Sequence, residues 1–255
     1  NGMLAMWGFS IISWLVVSLF YIIHGEAPPS KLLSPFNVAQ RQQQIGKPWL
    51  EAYDCPTPIK PSVNIIAQSY YIDEAKTVID QSLFQKNLNL MQPIQSFLRF
   101  VGNSSVDYLS SNPPFLPAAE CTLQWLNHWA KGKAMLGRVN KQGDDHRGWC
   151  IAAMMTSFLL IRDEPRLNQT TVKFVGEWLH TVARTNIAYF IKSGHVWNNH
   201  LTWTSLIALE ASVVANDRML FADGLRYARY TISTIQANGS VAYEIRRHVR
   251  AAHFF

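Results

Sequence analysis

The sequence predicts an all-α fold of consecutive antiparallel helix pairs, and three observations carry that expectation. From Asp73 onward apolar residues recur at three- and four-residue spacing, the rhythm of a helix with one buried face. Strand-like alternation is scarce. The breaks at 162–165, Ser193-Gly194 and Asn238-Gly239 are short, so each helix must return against its predecessor. Composition agrees. A chain of 255 residues, 48% hydrophobic and 16% charged, supports one sizeable core and excludes a disordered chain, a collagen-like repeat and a disulfide-dense mini-protein. No repeat of fixed period is visible, which removes a regular solenoid of identical units.

The first helix is expected to open at Asp73-Glu74, with Ala75, Val78, Ile79 and Leu83 on one face. Residues 118–135 carry Leu123, Leu126, Trp129 and Ala130 in the same rhythm. Asp144-Asp145 starts a strongly apolar helix through Trp149, Ile151, Met154, Met155, Phe158 and Leu159. Asn168 or Thr170 caps the next, whose face holds Val172, Phe174, Val175, Trp178, Leu179 and Val182. Residues 200–216 and 217–236 complete the series, the last with Asp217 as its cap.

Ahead of this domain, which spans 64–255, lie two segments of different character. Residues 3–23 contain no charge, and at about 1.5 Å per residue they are long enough to cross a hydrocarbon core of roughly 30 Å. Gly25-Glu26-Ala27 is similar to a small-x-small cleavage site, so 1–27 is read as a signal peptide or a single membrane anchor. Either places the remainder outside the cytoplasm. Residues 28–63 hold Pro28, Pro29, Pro35, Pro48, Pro56, Pro58 and Pro61 and are read as a proline-rich linker, since each proline fixes φ and removes a donor.

Charge and cysteine usage narrow the partners. The excess of 23 Lys+Arg over 17 Asp+Glu gives a net charge of +6, which suits an acidic partner. No run of five basic residues occurs, so nucleic acid gains no support. Cys55, Cys121 and Cys150 form no CxxC and no zinc-spaced pair with His, so no metal is expected. In an oxidising compartment one pair would form a disulfide and leave one thiol, and spacing alone does not choose which.

Nucleotide-binding, serine-hydrolase and zinc-protease signatures are all absent. Two segments stand out instead. In Gly194-His195-Val196-Trp197-Asn198-Asn199-His200, with Trp203 beyond, two amides and a histidine sit where a helix begins and free backbone N–H groups favour an anion. The blander reading there is capping by Asn198 or Asn199 with a partly buried His200. The second segment packs Arg246, Arg247, His248, Arg250 and His253 behind Glu244, which read by itself is a solvated basic helix face.

Together these residues resemble the alginate lyases of polysaccharide lyase family 5. Asn198-Asn199-His200-Leu201-Thr202-Trp203 is similar to the family's NNH-x-x-W, and Glu244 with Arg247, Arg250, Ala251 and Phe254 is similar to its later Glu…Arg-x-x-Arg-Ala-Leu-x-Tyr. Upstream, Glu120-Cys121-Thr122-Leu123, Arg147-Gly148-Trp149 and Cys55-Pro56 match family segments in the same order, so the resemblance runs from about residue 53 to the end. It implies an incomplete (α/α) toroid, a Cys55–Cys121 disulfide, and a periplasmic or secreted monomer that cleaves mannuronate-rich alginate, an acidic polysaccharide, by β-elimination without metal or cofactor. Since the family continues past this region, the resemblance also implies a chain lacking its last helices.

The chemistry explains the residue types. A uronate C5 proton becomes removable only when donors on the neighbouring carboxylate let it accept a second charge. By resemblance Asn199 neutralises that carboxylate, His200 neutralises it or serves as base, and Arg247 holds the carboxylate or the catalytic tyrosine. The tyrosine's position is occupied by Phe254, which has no proton to move. Trp149, Arg147, Trp203, Arg250 and Ser69-Tyr70-Tyr71, with Tyr70 where the family has lysine, are the candidates for binding the sugar. A tryptophan on an apolar helix is more often a core residue, and both tryptophans carry that reading too. Two other functions compete: a catalytically impaired polyuronate binder, and a toroid-type glycoside hydrolase pairing Asp144 or Asp145 with Glu244.

Overall fold

The computed structural model describes residues 31–36, 52–74, 78–111, 113–193 and 199–241. Within them the chain folds into α1 (Gln81–Ser110), α2 (Leu116–Lys131), α3 (Lys141–Ile161), α4 (Gln169–Ser193), α5 (Asn199–Ala215) and α6 (Arg218–Ser233). The apolar run at 3–23, expected as signal or anchor, lies outside the described residues. Among the described residues no helix is long and apolar enough to cross a membrane.

Side-chain caps fix where most of these helices start. Asn168 Oδ1 accepts from the Thr171 N–H at 2.9 Å to open α4, and Asp217 accepts from Leu220 to open α6. Helix α3 begins at an Asn140 cap that accepts from Gly143, which leaves Asp144 inside the first turn rather than ahead of it. The start of α1 corrects the expectation. Asp73 Oδ1 accepts from the Val78 N–H at 2.7 Å and closes a loop in which Tyr71 bridges Ile79, so Val78 and Ile79 are not helical. The cap is Asp80, whose carboxylate takes the Leu83 N–H. An aspartate serves a loop and a helix start by the same hydrogen bond, which is why the first of two acidic candidates misleads.

The helices form three hairpins, α1–α2, α3–α4 and α5–α6, stacked so that α1 packs on α3 and α3 on α5, while α2 packs on α4. Contacts at both ends show that α1, α3 and α5 run the same way. Asn87, near the start of α1, lies 3.1 Å from His146 near the start of α3. At their other ends Tyr108 donates to Glu164 at 3.0 Å, and Arg162 donates to the Val213 carbonyl. Helices α3 and α5 bury residues on every side, as an inner layer must. This arrangement is an incomplete (α/α) toroid. Its main core centres on Trp129, stacked at 3.6 Å on Phe97, both with no exposed surface. Burying two such side chains stabilises the fold by about 1.5–3 kcal/mol each.

An extended strap positions the site. Cys55 is disulfide-bonded to Cys121 of α2, and the indole N–H groups of Trp125 and Trp129 donate to the carbonyls of Pro56 and Ile59 at 2.9 and 3.0 Å. Prolines lack an N–H but keep a carbonyl, so a proline-rich segment docks well onto tryptophan donors. The strap continues through Met135 N–H to Ser62 O, Gly137 N–H to Val63 O and Ile65 N–H to Arg138 O, and delivers Tyr70 and Tyr71 beside the start of α1. Cys150 is a buried free thiol, and burial pushes it up to about 12.

Candidate active site

Parallel α1, α3 and α5 bring three helix N-termini to one end of the toroid. Each carries the partial positive charge of a helix start, although the Asp80 carboxylate caps α1 and the Asn140 side chain caps α3. Asn199 and His200 occupy the first turn of α5 and are half-buried. The His200 ring is stacked on Phe190 of α4, with centroids 5.2 Å apart and planes 24° from parallel. His200 Nδ1 lies 3.9 Å from Asp145 Oδ1 on α3, the two side chains being 18% and 10% exposed.

The first turns of α3 supply a dense set of polar groups. Asp144 and Arg147 form a buried ion pair, and Asn186 of α4 donates from Nδ2 to the Asp144 carbonyl at 2.9 Å. Burial pushes the Asp144 carboxyl up and Arg147 opposes it. Next to them His146 is neutral, on two grounds. Asn87 Oδ1 accepts from the Gln68 N–H at 3.0 Å, which turns Asn87 Nδ2 toward His146 Nε2 and makes that nitrogen an acceptor. Burial also lowers the imidazole to about 4. Tyr70 and Tyr189 face the same acids. Burial raises Tyr70 first, with Tyr71 and the Asp145 charge adding to it, and burial raises Tyr189 with Asp144 and Asp145 adding. Both keep their protons at neutral pH.

Aromatic faces wall this end. His146 meets Trp149 edge-on at 5.0 Å, and Trp149 lies 6.4 Å from Trp203. Trp203 packs partly against the main core, whereas Trp149 is half-buried between His146 and Trp203. Tyr70 is 4.7 Å from Tyr71 and 5.2 Å from Phe84 of α1. The structure therefore gathers Asn199, His200, Trp149, Trp203, Tyr70 and Tyr71 at one end. Arg147 lies in the floor, held by Asp144. Arg247, Arg250 and Phe254 lie outside the described residues.

Several neighbours escaped the sequence reading. Asn87 and Phe190 carry no local signal, because each acts through a contact between helices. In sequence Asp145 stands out only as a helix opener and a candidate hydrolase acid, and Tyr189 carries no signal. Gly148 also belongs here: a Cβ on it would sit 2.9 Å from Asn186 Oδ1, so glycine permits the close approach of α3 and α4 under the site.

With this geometry in place, relatives identify the group. The family profile described as alginate lyase matches residues 67–255. A polysaccharide lyase from Stenotrophomonas maltophilia is 33% identical over 204 residues, covering 78% of this chain and 60% of the relative. An alginate lyase from Cobetia marina is 26% identical over 138 residues, covering 52% of this chain and 37% of the relative. Among solved structures, a tyrosine-to-phenylalanine variant of alginate lyase A1-III complexed with a tetrasaccharide superposes with a TM-score of 0.73 at 21% identity. That match covers 88% of this chain and 65% of the other. The unaltered enzyme from Sphingomonas species A1 superposes with a TM-score of 0.70, again at 21% identity. The chain thus spans about 60% of the length of the Stenotrophomonas relative.

Proposed function

The chain belongs to the alginate lyase family, and from that premise we propose that it acts on poly(β-D-mannuronate), cleaving its 1,4-linkages by β-elimination. The observation that carries this reading is the Asn199–His200 pair on the first turn of α5, set among three parallel helix N-termini and beside Trp149 and Trp203. The helix ends and the Asn199 amide receive a uronate carboxylate, and the indole faces stack on sugar rings. Withdrawal of charge into that carboxylate loosens the C5 proton, which His200 takes. The C5–H electron pair forms the C4–C5 double bond, the C4–O4 bond breaks, and the leaving O4 takes a proton from water. Arg247 and Arg250 complete the grip on the substrate in this account.

Phe254, at the family's tyrosine position, qualifies the second half of the reaction. A phenyl ring supplies no proton to O4, and acid–base groups typically contribute ~10²–10⁴-fold. The chain as written is therefore a slow lyase or a polyuronate binder. The alginate lyase A1-III variant with a tyrosine-to-phenylalanine change holds a tetrasaccharide, which supports binding surviving such a change. We further propose a periplasmic or secreted monomer, with 1–27 as signal peptide or single anchor, since alginate lies outside the cytoplasm.

The test is product chemistry on mannuronate-rich and guluronate-rich alginate. Elimination creates an unsaturated uronate that absorbs in the ultraviolet, with the mannuronate-rich polymer cut faster. New reducing ends without that absorbance would assign hydrolysis instead, by Asp145 with Glu244, since Asp144 is committed to Arg147.

A further inference from the structure

We infer that the surface where α2 meets α4 carries a second binding site for the acidic polysaccharide, a pocket that takes a uronate unit between the Lys131 and Lys133 ammoniums and the Phe174 ring. The identity of the polymer rests on the lyase reading; the pocket itself is built from residues that reading does not use.

The pocket has a volume of about 420 Å³, within the roughly 300–1,000 Å³ of small-molecule clefts. Helix α4 lines it with Phe174, Glu177 and Trp178, three and four residues apart and so on one face. The end of α2 and the turn after it contribute Lys131, Lys133 and Leu136. The apolar spacing of α4 assigns Phe174 to the core, yet its side chain is 41% exposed, and Leu136 is 39% exposed. The turn is held from two sides. The Trp178 indole N–H donates to the Ala134 carbonyl at 2.9 Å, and the Met135 N–H donates to the Ser62 carbonyl of the strap at 2.9 Å.

The backbone at Lys133 points to a use for its side chain. Two bonds close the end of α2, from the Lys133 N–H to the Ala130 carbonyl and from the Ala134 N–H to the Trp129 carbonyl, both at 3.0 Å. In this closure the residue at the place of Lys133 is left-handed and usually glycine. Lys133 adopts φ 52° there, which is strained for a residue with a Cβ. The adjacent Gly132 serves the strap instead: a Cβ on it would sit 2.5 Å from Pro61 Cγ.

Charge completes the fit. Lys131 and Lys133 are exposed, and among the described residues neither joins an ion pair. Glu177, the carboxylate in the lining, has the Lys173 ammonium 4.0 Å away, so the lining stays net positive. A mannuronate unit brings a carboxylate for the lysines and a face of C–H bonds for the phenyl ring. A second hold on the same polymer raises its local concentration at the chain.

The test labels the full chain with fluorotryptophan and titrates it with mannuronate trisaccharide. In ¹⁹F spectra Trp178 reports the pocket and Trp149 the active end, each signal assigned by its loss in the Trp→Phe variant. The Trp178 signal should shift and saturate with its own dissociation constant. Lys131→Ala combined with Lys133→Gly should raise that constant at least ~10-fold, as loss of hydrogen bonds to a charged group does, and leave the Trp149 response unchanged. Glycine suits the left-handed position, so an undiminished melting temperature will separate lost binding from lost folding. Phe174→Ala should weaken the same site, added salt should weaken it further, and β-1,4-mannotriose, which lacks carboxylates, should leave Trp178 unmoved. A Trp178 signal that stays fixed, or one that responds alike with and without the two lysines, would overturn the inference. A lysine-dependent Trp178 response in a chain that forms no unsaturated product would instead strike the lyase reading and leave the pocket standing.

Discussion

Glu210 is a carboxylic acid with no room for a charge. It has no exposed surface, Thr156 donates to Oε1 at 2.6 Å, and Oε2 has no partner among the described residues. Burial drives its pKa well above the ordinary carboxylate value, with Thr156 opposing. The sign follows from proton counts. Above about pH 4.3 the unfolded chain releases this proton while the folded chain retains it, so the folded state binds more protons and stability falls as pH rises toward the folded pKa. The parent chain should therefore lose thermal stability relative to Glu210→Gln between about pH 5 and pH 8. Melting curves of the two that stay parallel across that range would refute the assignment. At this scale the sequence exposed only part of the site. Asn199 and His200 were legible because they are adjacent and part of a motif. The Asn87–His146 contact joins residues 59 apart, and no local rhythm encodes it.

At the scale of elements the helices were the readable part. Apolar spacing placed α2 through α6, and the caps Asn168 and Asp217 form as their residue types demand. What the rhythm left open is how the strap meets the helices. Asn140 shows why: its side chain caps α3 through Gly143 and also clamps Ala67, accepting from its N–H at 3.2 Å and donating to its carbonyl at 2.8 Å. One asparagine thus joins a cap, four residues ahead of the Asp144 that the sequence offers as the opener, to a contact 73 residues away. Gly143 completes the joint, since a Cβ there would sit 2.1 Å from the Ile65 carbonyl oxygen. Gly143→Ala must push the strap off α3, and overpacking of this kind costs about 1–3 kcal/mol in chemical denaturation. Because the strap carries Tyr70 and Tyr71, the same variant should also bind polymannuronate more weakly; an unchanged dissociation constant would detach the strap from the site.

For the molecule as a whole, two ties hold the toroid. Residues 31–36 close the far end, where Leu32 packs with Leu159, Leu209 and Phe221, and Ser34 donates to the Leu159 carbonyl at 3.0 Å. The Cys55–Cys121 bond closes a separation of 66 residues and anchors the strap to α2. Removing it by Cys55→Ser with Cys121→Ser should cost about 4 kcal/mol through the freedom restored to the unfolded chain, read as a lower denaturation midpoint. The all-α class and the stacked hairpins follow from periodicity and short breaks, whereas the convergence of three helix N-termini appears only once the hairpins stack. The proposed anion site of this net-basic chain rests on that convergence. The central claim, that His200 at this end removes the uronate C5 proton while position 254 governs delivery to O4, is tested most directly by ultraviolet product formation from polymannuronate. Phe254→Tyr should form unsaturated product at least ~10²-fold faster than the parent chain, and adding His200→Ala should abolish it. Product that persists without His200, or a folded Phe254→Tyr that binds polymannuronate and forms none, would contradict the account.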